Sequence, residues 1–543
     1  MKKIFFLFII ITIAAFLRFY QLGINPPSLT WDEAAWGYNA YSLGIDGKDE
    51  FGRFLPLDYI ESFGDFKPPV YAYLAILPIK VFGLNEFATR FPSAFLGVIT
   101  VLISFFLVKQ IFNNNKEAEI IAFVSSFLLA ISPWHINLSR AAFEANVATF
   151  FIILGTLLYL KGVMKRNYFF ILSVIPFVLS LYTFNTARVF VPLLVLFLSI
   201  GFRKKIFQMK KEVFVSILLG LLLLIPTAKF LISPQASLRF KEVNIFTDSG
   251  VVKDANQQIA NDNNSLWSKV IHNRRIAFGR EFLNHYFDNL NPDFLFIKGD
   301  GNPKFSTRDV GQLYIWEIPM LIIGVLLLFK RKEGVWWIIP IWLILGIIPA
   351  GTARETPHAL RIETTLPTFQ ILTALGLVFL FTKINRLKVF MHLKYLLFSL
   401  ILLLISFNFL YYYHGYYAHY PKEFSREWQY GYKESINYIE KVKNQYEKVE
   451  FTDKLGRPYI YFLFYTKYSP QKFREEAVIK RDVFGFVHVY SFNKYNFFDV
   501  FSPLTFEKNT LYLDKKESIP NNANIKAKFK LLNGEDVLIA YTT

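Results

Sequence analysis

The chain has 543 residues, of which 53% are hydrophobic and only 19% charged, with 60 phenylalanines and 30 tyrosines. Soluble domains carry about 25% charged residues, so a string of ordinary soluble domains is excluded, and so is disorder. Lysine and arginine outnumber aspartate and glutamate by 60 to 42, a net charge of +18. In so apolar a chain that excess argues for membrane topology and against nucleic-acid binding. With no cysteine, disulfides, thiol catalysis and cysteine metal sites are excluded.

Eleven apolar runs read as membrane spans: residues 4–20, 90–108, 119–137, 146–160, 168–184, 189–202, 213–232, 313–329, 334–350, 364–381 and 395–411. Lys2 and Lys3 precede the first. Residues 14–20 offer no small-x-small cleavage site, so an uncleaved anchor is expected. Alternate connections then carry Lys109 and Lys116; Lys161, Lys165 and Arg166; Arg203, Lys204, Lys205, Lys210 and Lys211; Lys330, Arg331 and Lys332; and Lys383, Arg386, Lys388 and Lys394. This makes nineteen bases against four acids, Glu117, Glu119, Glu212 and Glu333. Basic connections stay inside, so the N-terminus is expected in the cytoplasm. The apolar stretch 69–83 contains Pro78 and Lys80. Were it to cross, every later basic connection would face outward, so a helix along the outer interface is expected.

Three outer pieces remain: loops 21–89 and 233–312, and a segment 412–543. The division expected is a transmembrane domain over 1–411 and an extracytoplasmic α/β domain over 412–543. In the latter, the patterning predicts a helix over 427–446 and strands over 448–453, 483–492, 510–514, 525–532 and 537–542.

The chemistry gathers on the outer side. The first loop reads P-P-S-L-T-W-D-E-A-A-W-G-Y, with Asp32 and Glu33 just beyond the first span and Ser28 or Thr30 placed to cap a helix. Neighbours on a helix point about 100° apart, so only one of the two acids leads into a given cavity. The plainer alternative is two acids favoured by a helix dipole. Arg140 and Glu144 stand four apart, sharing a helix face or pairing with each other. Arg188, Arg354, His358 and Arg361 sit at the outer ends of spans. Arginines on that side ask for an anion, and a lipid-linked phosphate suits them, as do ordinary headgroups. Asp65 and Lys67 lie in F-G-D-F-K-P-P. His285 is a metal-ligand candidate beside the more ordinary role of a packed surface residue, and Arg239 is a further loop cation.

Together these motifs resemble the GT-C membrane glycosyltransferases, most closely the protein O-mannosyltransferase and aminoarabinose transferase group. W-D-E-A-A-W-G-Y carries the likeness first. F-G-D-F-K-P-P-V-Y-A-Y-L, V-F-G-L-N-E-F-A-T-R-F-P-S-A-F-L-G, S-R-A-A-F-E, N-L-N-P-D-F-L-F-I-K-G-D and P-H-A-L-R-I-E-T-T-L-P extend it. The resemblance implies an α-helical polytopic membrane protein with about 11 transmembrane helices, in a prokaryotic plasma membrane. It implies a polyprenyl-phosphate sugar donor and a protein or glycan acceptor. Asp32 matches the family's general base, followed by Glu33, and Glu144 stands where a second acid, usually aspartate, is found. Lys67 matches a lysine near the donor phosphate. Arg140, Arg188, His358 and Arg361 complete the phosphate-side set. A divalent ion is the cofactor such chemistry admits, with Asp65 and His285 as its ligands, although the family's acid precedes the lysine directly and here Phe66 intervenes. The leaving group is a phosphate ester, which needs positive charge. The acceptor is a hydroxyl, which needs a base. The rival functions are a transporter or flippase of lipid-linked sugars and a non-catalytic glycan-binding protein. A transporter should hold charges at mid-membrane, and these spans are nearly free of them.

Overall fold

The computed structural model describes residues 2–233, 236, 244–387, 390–482, 485–498 and 506–543. Arg239, Lys388 and Val483 lie outside the described residues. The chain divides into two compact units: Met1–Arg18, Phe95–Ser139 and Glu144–Tyr413 form one, and Phe19–Ala94, Arg140–Phe143 and His414–Thr543 form the other.

The first unit is helical. Each of the eleven apolar runs falls on a helix: α1 (Lys2–Phe19), α4 (Glu86–Ile111), the pair α5 (Ala118–Ile131) and α6 (Pro133–Ser139), α7 (Glu144–Met164), α8 (Tyr168–Leu181), α9 (Ala187–Gly201), and then Lys210–Leu231, Glu317–Arg331, Ile338–Gly351, Thr368–Arg386 and Met391–His414. Among the described residues, five helices are long and apolar enough to cross a bilayer, or six if the bent pair α5–α6 counts as one span. Other runs expected to cross, such as Tyr168–Leu181 and Ile338–Gly351, form helices of only 14 residues. Lys210–Leu231 shows why a bilayer is needed. It exposes Phe214, Ile217, Leu218, Leu221, Leu222 and Ile225 along a rod of about 33 Å, the depth of a hydrocarbon core. The chain is a multi-pass membrane protein.

Close packing holds this unit together. The α5–α6 pair bends by 56°, and the fully buried Arg18 binds across the bend. Its guanidinium donates to the carbonyls of Ala130 (3.1 Å) and Leu129 (3.2 Å) and meets His135 Nδ1 at 2.6 Å. A Cβ at Gly324 would stand 1.8 Å from the Leu372 carbonyl oxygen, and one at Gly376 2.0 Å from that of Met320. Only glycine lets helices Glu317–Arg331 and Thr368–Arg386 approach so near.

The second unit combines the loop after the first apolar helix with the C-terminal segment. The loop supplies α2 (Trp31–Asp46), the hairpin β1 (Ile60–Ser62) and β2 (Asp65–Lys67), and α3 (Val70–Phe82). The short α3 occupies the stretch expected at the interface. Among the described residues the C-terminal part holds seven strands: β3 (Lys448–Thr452), β4 (Val478–Arg481), β5 (Val487–Phe492), β6 (Tyr495–Phe498), β7 (Thr510–Asp514), β8 (Asn524–Lys530) and β9 (Asp536–Thr542). Their order is β4-β5-β6-β3-β7-β9-β8, with β3 parallel to β6 and β7 and the other pairs antiparallel. β4 and β6 are strands beyond those expected, and the helix expected over 427–446 is confined to Tyr432–Val442. Helix Pro458–Tyr465 is buried on nearly every side. Its Phe464 ring lies so close to Gly37 of α2 that a Cβ there would stand 2.4 Å away. Leu29, Ala34, Ala35 and Tyr38 of the loop share one apolar core with Tyr432, Phe451 and Phe462.

Candidate active site

The start of α2 separates the two adjacent acids. Thr30 is the N-cap: its hydroxyl accepts the Glu33 N–H (3.2 Å), and the Glu33 carboxylate accepts the Thr30 N–H (3.0 Å). This capping box turns Glu33 inward. There Glu33 meets Arg90, with Nε to Oε1 at 2.9 Å and Nη2 to Oε2 at 3.2 Å, and also accepts the Ala142 N–H at 2.9 Å. Both side chains are sealed from solvent. Arg90 spends its other donors on the carbonyls of Leu22 (3.1 Å), Pro26 (2.8 Å) and Ser28 (2.5 Å), pinning the segment that leads into α2.

Asp32, one residue earlier, points elsewhere. Its side chain is 50% exposed and ion-paired with Lys67, itself 9% exposed. Lys67 ends the β1–β2 hairpin, opposite Ile60. Its ammonium lies 5.4 Å from the Trp36 ring and 5.5 Å from that of Phe63, within cation–π range. Behind the hairpin, Glu50 is wholly buried beside Asp49, Glu61, Lys67 and the Ser62 hydroxyl, and burial pushes its carboxyl up to about 8. Arg140, in the same unit, is fully buried. It donates to the Asn25 carbonyl (2.7 Å) and the Tyr416 hydroxyl (3.1 Å) and lies over the rings of Tyr416 and Tyr417 at 5.4 and 5.3 Å. Such an arginine holds the fold.

The remaining expected residues belong to the first unit. Glu144 opens α7. Its charge and, more strongly, burial hold the carboxyl of Glu363 well above the usual range. His358 is buried, stacks on Phe305 at 4.8 Å, and is pushed down to about 3 by burial and by Arg361. Burial thus disfavours a charged ring there. Arg361 donates to the Glu355 carbonyl (2.8 Å). Arg188 donates through Nε to the Leu181 carbonyl (3.1 Å), while its Nη2 is buried with no hydrogen-bond partner among the described residues.

His285 has both ring nitrogens engaged, Nδ1 with the Ala353 carbonyl (2.7 Å) and Nε2 with Glu281 (2.9 Å). Asp65 stands on β2, in the other unit. Among the described residues no three His, Asp or Glu side chains gather to hold an ion.

The fold itself has known counterparts. ArnT from Cupriavidus metallidurans, bound to undecaprenyl phosphate, superposes with a TM-score of 0.53 over 98% of this chain and 97% of that one, at 12% identity. The chain shares this fold. The Archaeoglobus fulgidus oligosaccharyltransferase tethered with an acceptor peptide gives a TM-score of 0.51 over 85% of this chain and 63% of that chain, at 14% identity. Residues 66–230 match the sequence model of the family described as dolichyl-phosphate-mannose-protein mannosyltransferase. An uncharacterized protein of Aquifex aeolicus is 30% identical over 200 residues, which is 36% of this chain and 37% of the relative. The match thus spans little more than a third of that relative's length.

Arg90 and Glu363 were not singled out from the sequence. Arg90 meets the criterion applied to Arg188 and Arg361, an arginine at the expected outer end of a span. Glu363 follows Arg361 by two residues, and nothing local marks it as buried.

Proposed function

We propose that this chain is an inverting glycosyltransferase that moves a sugar from a polyprenyl phosphate to a hydroxyl of a protein or glycan. The reaction takes place at the outer face of a prokaryotic plasma membrane. The observation that carries this reading is the Asp32–Lys67 pair: a half-exposed carboxylate at a helix start, beside a lysine held in an aromatic setting. The undecaprenyl phosphate of ArnT and the acceptor peptide of the oligosaccharyltransferase support the donor and acceptor classes. The nineteen basic residues of the alternate connections favour an inside N-terminus and an outer Asp32.

In this reading the bond between the sugar's anomeric carbon and the phosphate oxygen breaks as the acceptor oxygen attacks the opposite face. The acceptor proton passes to Asp32, and the polyprenyl phosphate leaves against Lys67. No covalent enzyme intermediate is needed. Because Lys67 engages Asp32 before substrate binds, the incoming phosphate takes the lysine and releases the carboxylate for the acceptor. Glu33 holds α2 in place.

The test is Asp32→Asn in folded protein, assayed for transfer from a polyprenyl-phosphate sugar. Loss of a positioned base should cost about 10²–10⁴-fold while undecaprenyl phosphate still binds. Undiminished transfer refutes the role of Asp32.

A further inference from the structure

Lys67 sits on a hairpin of two three-residue strands. Such a ribbon has little stability of its own, so whatever fixes its turn fixes the lysine. The turn, Phe63–Gly64, adopts positive φ at both residues, 61° and 85°. It is gripped by the C-terminal sheet. The Val487 N–H donates to the Phe63 carbonyl at 3.1 Å. Gly64 approaches the backbone so nearly that a Cβ would stand 2.5 Å from the Gly485 carbonyl oxygen and 2.7 Å from Phe486 Cα. Arg457 completes the grip. Its guanidinium lies over the Phe63 ring at 5.2 Å and the Phe486 ring at 5.7 Å and donates to the Val487 carbonyl at 3.3 Å. The Tyr459 ring meets Phe63 edge-on at 5.7 Å. At the other end of the turn, Arg481 pairs with Glu61 at 2.6 Å. Phe63 is thus common to two cations: Arg457 approaches its ring, and so does Lys67 at 5.5 Å.

We infer that Arg457, with the backbone of residues 485–487, is a positioning device for Lys67, and that the C-terminal sheet is thereby part of the donor-phosphate site. This rests on the reading of Lys67 as the residue that meets the donor phosphate. Arg457 acts through Phe63 and the turn and is a positioning residue. A sheet serving only the acceptor would have no reason to clamp this turn.

The experiment uses the full chain in nanodiscs, with undecaprenyl phosphate as the probe, and measures its Kd beside the donor and acceptor KM of transfer. Arg457→Ala should weaken undecaprenyl phosphate and raise donor KM together, by roughly 3- to 30-fold, the range of a partly desolvated cation–π contact. Acceptor KM should hold. Arg457→Lys keeps a cation over Phe63 and should recover most of the loss. Gly64→Ala, which leaves Arg457 intact but pushes the turn off Gly485, should give the same donor-selective defect. The inference is overturned if Arg457→Ala binds undecaprenyl phosphate like the parent, or if donor and acceptor constants suffer alike and the lysine variant rescues nothing. Lys67→Ala separates the layers: normal binding there removes the underlying reading, whereas weak binding there with a normal Arg457→Ala removes only the clamp.

Discussion

Arg90→Met tests the frame on which Asp32 stands. Methionine keeps much of the apolar stem and removes five hydrogen bonds, two to Glu33 and three to the carbonyls of Leu22, Pro26 and Ser28. Stranding one member of a buried ion pair costs about 3–5 kcal/mol, and each carbonyl left without a partner adds about 1 kcal/mol where water does not reach it. A loss of about 5 kcal/mol or more follows, a large share of the ~5–15 kcal/mol that stabilises a typical fold. Glu33→Gln alone should be comparably damaging, because it strands Arg90. The double variant removes both charges and should be more stable than Arg90→Met by about 2 kcal/mol or more, the signature of coupled partners. Denaturant unfolding of the purified protein in one detergent, followed by tryptophan fluorescence, reads all four proteins. A double variant as unstable as the sum of the singles would refute the pairing as the source of the cost.

Three further outcomes are expected. Glu50 holds its proton up to about pH 8 in the folded chain against about 4.5 when exposed, so the folded state binds more protons across that window. Stability should fall as pH rises through it, by up to about 1.4 kcal/mol per unit. Glu50→Gln should flatten this slope in melts between pH 5 and 8, and an unchanged slope counts against the assignment. Substrate should add in order, donor first, because the phosphate must take Lys67 from Asp32. Initial-rate patterns with undecaprenyl phosphate as inhibitor check this, and random addition contradicts it. His358, pushed down to about 3, should contribute no inflection to donor affinity between pH 5 and 8, so the profile of His358→Gln should overlay the parent's.

The helices were legible because apolar runs and basic connections follow from hydration and charge alone. The number of crossings was less so, since Tyr168–Leu181 is apolar throughout yet only 14 residues long. Around the site, the capping signal at Thr30 and the separation of Asp32 from Glu33 follow from helix geometry. What Glu33 meets does not, because Arg90 lies 57 residues away. Likewise F-G-D-F-K could be read as a turn, but the strand pairing that sets Lys67 opposite Ile60 depends on Val487 and Arg457, hundreds of residues later. The contacts of His285 were not legible either, because its partners, Glu281 and Ala353, come one from its own helix and one from a distant loop.

The capping box makes the order of two letters matter. Glu33 is long enough to reach Thr30, Arg90 and Ala142 at once, while Asp32 is short enough to stay at the rim. Exchanging them, Asp32→Glu with Glu33→Asp, preserves composition, charge and helix propensity. It should nevertheless leave a retracted acid facing Arg90 and an overlong one at the surface. Composition-preserving permutation of adjacent residues is thus a stringent perturbation for this chain, because the backbone at α2 reads position before chemistry.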